Sequence, residues 1–168
     1  KIAIIAEQWT TDWKPEVAQS NMENIITAHG DAIEAVLSSN DGMASGVAAA
    51  LEQAGMAGLP LSGQDGDVAA INRIALGTQT MTAWKDVRVL GARAAEIADA
   101  VLSGTAPGDL AGATVFSDEE QGLEQWAVPL EPTTITRDNL GQMLEAGWVT
   151  PEEMCRGVEA GTVPACDG

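Results

Sequence analysis

The sequence has 168 residues, 45% of them hydrophobic, and a formal net charge of −17. A chain of this size buries roughly 68–70% of its unfolded surface, so one core needs no staples and disorder is excluded. No apolar run of about 18 residues is present, and so acidic a surface repels nucleic-acid phosphates and anionic lipid, which removes both as partners. The plain reading of the charge is solubility.

The opening run KIAIIAEQW is β-branched and apolar without alternation, which predicts a buried parallel strand, with Trp9 packed at its end. After the turn TTDWKP, Pro15 suits a first helical turn, and Val17, Met22, Ile25 and Ile26 line one helical face. His29-Gly30 is a helix-ending signal, with Gly30 in the place of a left-handed cap. AIEAVLSSND predicts a second strand and its loop, and an alanine-rich helix follows over 44–54, stopped by Gly55 and Gly58. LPLSGQDG predicts a short third strand. Val68, Ile71, Ile74 and Ala75 form the apolar face of the next helix, ended by Gly77. TQTMTAW alternates like a strand, and a long helix over 87–102 starts at Asp86.

Strands alternating with helices in this way predict an α/β fold, a parallel sheet flanked by helices. Right-handed crossovers align the strand-to-helix loops along one edge, outside the carboxyl ends of the strands, where such sheets bind ligands. Beyond Leu102 the pattern weakens. SGTAPGDLAGATVFSDEEQG is rich in turn residues, the acidic SDEEQGLEQ run reads as a solvated face, and AVPLEPTTIT reads as extended. Residues 138–147 and 151–159 are expected to form short helices, the second opened by Thr150, Pro151 and Glu153. Cys155 and Cys166, with Gly and Pro between them and no CxxC, suit a local disulfide in an oxidising compartment.

Two loops carry the same chemistry: SSNDG at 38–42 and SGQDG at 62–66 each finish an apolar run with an amide, a carboxylate and a glycine. Asp65 stands near a helix amino end and accepts up to four hydrogen bonds, enough for two neighbouring sugar hydroxyls. Its alternative role is a helix cap, for which Asp67 is better placed. Asn40 both donates and accepts, as hydroxyls do, and Asp41 is expected to be the helix cap of that pair. Trp13 lies in a polar loop, and an indole face matches the C–H face of a pyranose; the alternative is a lid over the core. Lys85 can donate to a hydroxyl or pair with a carboxylate.

Signals for catalysis are thin. His29 sits in a helix-ending signal, and GxSxG, HExxH, P-loop and GxGxxG motifs are missing. Asp65-Gly66-Asp67 lacks the further ligand positions of a calcium loop. No cofactor or metal is expected.

The stretch EAVLSSNDGMASGVAAALEQAGMAGLPLSGQDGDVAAINRIALGTQTMTAWK, with TTDWKPEVAQSNMENIITAHGD before it, resembles the periplasmic binding proteins for D-xylose that feed ABC importers. The resemblance covers residues 1 to about 104, with SND, SGQD and GTQTMT its most specific parts, and continues more loosely to the cysteine tail. It implies a type I binding-protein fold, two α/β lobes with a sugar between them, delivered to a membrane permease. By the matching motifs Trp13 stacks on the sugar, Asn40 and Asp65 take hydroxyls, and Lys85 contacts the ligand from the crossover. Trp84 and the D-G pairs after SN and SGQ depart from the family's usual residues.

Family members run to about twice this length, and the chain begins with Lys1. The expectation is therefore a processed form or fragment lacking the first lobe, which associates with itself or with its lost half. Residues 1–85 are then the sugar-facing lobe with its crossover strand. Residues 86–125 belong to the other lobe, and 126–168 form the return crossover and helical tail. Two other readings fit the same pattern: a sugar-sensing domain of a transcription regulator or receptor, and a doubly wound enzyme using Asp41 or Asp65 as acid or base.

Overall fold

A computed structural model describes residues 2–167. In chain order its elements are α1 (Pro15–His29), α2 (Asp41–Gln53), β1 (Gln64–Asp65), α3 (Val68–Leu76), β2 (Met81–Trp84), α4 (Val87–Leu102), β3 (Thr114–Asp118), β4 (Leu123–Ala127), β5 (Thr133–Thr136), α5 (Gly141–Glu145) and α6 (Pro151–Met154). The chain divides into two compact units, Lys1–Trp84 with Thr133–Gly168, and Lys85–Pro132.

In the first unit, β1 and β2 run parallel, pairing Gln64 with Ala83 and Asp65 with Trp84. β5 adds antiparallel to the other side of β2, with Met81 opposite Thr136 and Trp84 opposite Thr133. The expected second strand is reduced to one parallel bridge, Val36 to Leu61. Parallel alignment therefore extends across three neighbouring segments, although few residues of each form a regular ladder.

The opening strand does not form. Lys1 lies outside the described residues, and residues 2–9 pair with no strand among them. Ile2 is 97% exposed and Trp9 88%, so Trp9 is not a packing residue. An apolar run has strand character, but a strand exists only where a neighbour completes its hydrogen bonds and covers its faces. The end of this segment is held by Asn21, whose Nδ2 donates to the Trp9 carbonyl.

Two apolar clusters hold the unit together. One joins Ala18 and Met22 of α1 to Ile33, to Met43, Ala44, Val47, Ala50 and Leu51 of α2, and to Leu61. The other packs Ile71, Ile74 and Ala75 of α3 against Ile135, Leu140, Met143, Val149, Met154 and Val163. The face expected for α3 is thus the buried one, apart from Val68, which is exposed. α1 and α2 cross closely: a Cβ on Gly46 would stand 2.0 Å from the Pro15 carbonyl oxygen.

The termini of the helices follow local chemistry. Pro15 opens α1, Asp86 caps α4 by accepting the Arg88 N–H, and Gly77 closes α3 in the left-handed region. Gly30 combines φ +51° with ψ −125°, outside the left-handed helical region, so it ends α1 without the expected left-handed cap. Thr150 and Glu153 form a reciprocal capping box at α6, which ends at Met154 instead of continuing to 159. Cys155 and Cys166 are joined in a disulfide, Cα to Cα 5.5 Å. Asn72 of α3 ties this tail down, its Nδ2 donating to the carbonyls of Met154 and Arg156.

The second unit consists of α4 and a β3–β4 hairpin, where the sequence leads one to expect turns and a solvated face. Val115 faces Trp126 across the ladder, and both are about half exposed. α4 buries none of its residues: Val87, Leu90 and Val101 of its apolar stripe are exposed.

A loop cluster at the carboxyl ends of the parallel segments

The loops following Val36, Leu61 and β2 leave the same edge of the parallel segments. Two serines join the first two loops. Ser62 Oγ accepts the Ser38 N–H at 3.0 Å and donates to the Ser38 carbonyl at 3.2 Å. SSND and SGQD therefore lie side by side.

Asn40, not Asp41, caps α2. Its Oδ1 accepts the Met43 N–H at 2.9 Å, which commits the acceptor half of the amide; among the described residues Nδ2 donates to no group. The N-cap residue has extended backbone, and Asn40 with φ −153° supplies it.

Asp41 begins the helix and turns inward, fully buried. Its Oδ2 accepts from Gly66 N at 2.9 Å, Asp67 N at 3.0 Å and Thr82 Oγ1 at 2.8 Å, and its Oδ1 from Gln79 Nε2 at 2.9 Å. A buried carboxylate is tolerated only when so satisfied. Arg73 completes the network, with Nε and Nη2 on Gln79 Oε1, Nη1 on Ser45 Oγ and Nη2 on the Asp41 carbonyl. Burial pushes the Arg73 guanidinium below its ordinary value, while Asp41 and Asp67 hold it up.

Asp65 pairs with Trp84 in the β1–β2 ladder and has φ +108°. A non-glycine residue in such a region stores on the order of 1–3 kcal/mol, which the surrounding contacts must hold. Gly66 follows at φ +81°, where a Cβ would meet Trp84 Cδ1 at 2.4 Å. The Gly66 carbonyl accepts the Trp148 indole N–H at 2.6 Å, and Trp148 stands edge-on to Trp84 at 5.4 Å. Asp67 occupies the cap position of α3, but its side chain makes no capping hydrogen bond. Partial burial, then the Asp41 and Asp65 carboxylates, raise its carboxyl above the ordinary 3.8, with Arg73 opposing.

Trp13 is 57% exposed, in a one-turn helix whose Asp12 and Trp13 both have positive φ. It stands two residues before Pro15, at the end of α1 that crosses α2 near Gly46. No hydrogen bond links its side chain to the cluster among the described residues. Lys85 follows β2 directly and is the first residue of the second unit. The structure thus brings the loops of Asn40 and Asp65 together and ends β2 beside them.

The residues missed from sequence are those beneath the loops: Asp41 as the organising carboxylate, with Arg73, Gln79, Thr82 and Trp148 around it. Gln79, just before β2, and Thr82 within it are both buried, but they stand in a run that also holds Thr78 and Thr80, so nothing in that run marked them out. A depression of about 400 Å³ lined by Asp31, Ile33, Met56 and Leu59 contains none of the expected ligand residues. Among the described residues no group of three or more His, Cys, Asp or Glu could hold a metal ion, and no helix is long and apolar enough to cross a membrane.

Residues 1–106 match the model of the periplasmic binding protein domain. The chain belongs to that family. It is 46% identical over 108 residues to the D-xylose-binding periplasmic protein of Escherichia coli, covering 64% of this chain and 33% of that protein. A multiple sugar-binding periplasmic protein of Azospirillum brasilense is 31% identical over 153 residues, 84% of this chain and 41% of the relative. The chain therefore spans about a third to two-fifths of the length of these relatives. Among solved structures, a carbohydrate transporter solute-binding protein of Chloroflexus aurantiacus in complex with D-glucose superposes with a TM-score of 0.71 at 28% identity, over 87% of this chain and 43% of the other. The fold is that of a type I periplasmic binding protein lobe, and these relatives are named for binding solutes and not for catalysis.

Proposed function

We propose that this periplasmic binding protein domain supplies one face of a monosaccharide site, with D-xylose or a similar aldopentose as ligand. It acts without catalysis, as the solute-binding component of an ABC importer. Asn40 offers its amide and Asp65 its carboxylate to sugar hydroxyls, Trp13 covers the C–H face of the ring, and Lys85 approaches from the end of β2. The observation that supports this most is the pairing of the SSND and SGQD loops through Ser38 and Ser62, which sets an amide and a carboxylate on neighbouring turns. The likeness to a D-xylose-binding protein adds the sugar class.

A second lobe completes the cleft, and residues 86–125 belong with it, while 126–168 return to the first. Closure of two lobes on a sugar is a hinge motion, so affinity comes from both faces. The loaded protein delivers its sugar to a membrane permease.

Calorimetry of the intact protein with D-xylose, D-glucose and D-ribose tests the proposal. Saturable binding of D-xylose near the micromolar range, about −8 kcal/mol, is expected, with weaker binding of the other two. Absence of binding to all three overturns it.

A further inference from the structure

The two peptide N–H groups that follow Asp65 both point into the Asp41 carboxylate, at 2.9 and 3.0 Å. That carboxylate is fully buried and anchored from behind by Thr82 and Gln79, so it is a rigid acceptor. On the far side of the same peptide, the Gly66 carbonyl takes the Trp148 indole N–H. Asp65 and Gly66, both at positive φ, are thus gripped from two directions.

Unheld, Asp65 relaxes toward negative φ, where a residue with a Cβ is more stable. Rotation about this backbone redirects the Cα–Cβ bond, and with it the carboxylate. The grip therefore sets the direction in which Asp65 presents its oxygens.

We infer that Asp41 and Trp148 are positioning residues for Asp65: they hold its backbone at positive φ and so aim its carboxylate at the sugar hydroxyls. This rests on the reading that Asp65 binds ligand. A purely structural role for the same two residues lowers stability and leaves the affinity of folded molecules unchanged.

The test is a double-mutant cycle on the intact protein, read as D-xylose affinity by calorimetry well below each variant's melting temperature. Trp148→Phe keeps an aromatic ring but loses the indole N–H and its hydrogen bond to Gly66; Asp41→Asn removes the charge that gathers the N–H groups. Each is expected to raise Kd about ten-fold, and each is expected to lose that effect when combined with Asp65→Asn, while its loss of melting temperature persists. Two results overturn the inference: an unchanged Kd in both single variants, or an equal rise in Kd with and without Asp65→Asn. If Asp41→Asn does not fold, Trp148→Phe decides alone. An unchanged Kd for Asp65→Asn by itself overturns the assignment of Asp65 as a ligand residue, and the inference with it; a raised Kd for Asp65→Asn with both single variants unchanged overturns the inference alone.

Discussion

The side chain of Asp41 accepts a hydrogen bond from the backbone of Gly66, 25 residues away, at 2.9 Å. This one contact joins the start of α2 to the turn after β1, and it is possible because Gly66 combines a positive φ with a backbone lying against Trp84. Gly66→Ala is expected to lower stability by at least about 2 kcal/mol, through left-handed strain and overlap with the indole. Chemical denaturation measures it; a variant as stable as the parent would show that the turn relaxes freely.

Asn40 combines two roles that substitutions can separate. Asn40→Asp retains an acceptor as effective at a helix start, so the unfolding free energy is expected to stay within about 0.5 kcal/mol of the parent. The Nδ2 donor is lost, so D-xylose affinity is expected to fall. Asn40→Ala should lose both, with about 1 kcal/mol of stability. Paired denaturation and calorimetry read the two effects, and equal affinities for the parent and Asn40→Asp would remove Asn40 from the site.

Asp67 predicts a pH dependence. Its carboxyl is raised by partial burial first and then by Asp41 and Asp65. A raised folded-state value means that ionisation costs stability: the cost is absent below the unfolded-state value near 3.8 and complete above the raised value. Asp67→Asn removes it. The variant is expected to melt higher than the parent at pH 7, with the difference vanishing as the pH falls below about 4. Thermal melts from about pH 3 to 8 check this, and a lower melting point at pH 7 would contradict it.

The Cys155–Cys166 disulfide closes a loop with a sequence separation of 11. In the chain-entropy model such a closure stabilises by about 3 kcal/mol. Reduction is expected to lower the denaturation midpoint by a corresponding amount, since Cys155 and Cys166 pack against the cluster of Ile71 and Met154. An unchanged midpoint would mean that packing alone holds the tail.

Thr150 tests the reciprocal cap of α6. Its Oγ1 accepts the Glu153 N–H while the Glu153 carboxylate accepts the Thr150 N–H and hydroxyl. Thr150→Ala is expected to cost about 1 kcal/mol, and Thr150→Ser little. Equal losses for both would argue for the methyl group over the cap.

The two loops of the candidate site were legible because each carries a local signature. The repetition of amide, carboxylate and glycine after two apolar runs marked both loops. Within SND the helix cap falls to Asn40 where Asp41 is the expected one. Asn and Asp are equally good helix caps, so nothing local chooses between Asn40 and Asp41. The choice is made by donors from Gly66, Asp67, Gln79 and Thr82, which the fold gathers around Asp41. The strand expected over 1–9 is missing from residues 2–9 for a related reason: apolar character is a property of the segment, but pairing belongs to a neighbour.

Helix starts at Pro15, Asp86 and Thr150 and the left-handed stop at Gly77 were settled by neighbours within a turn or two along the chain. Which carboxylate is buried, how Asp65 is held at positive φ and where Trp148 donates were settled by contacts across 25 to 82 residues. Local sequence encodes hydrogen bonds whose partners lie within one helical turn. A buried charge must instead be met by whatever groups the packed chain brings to it.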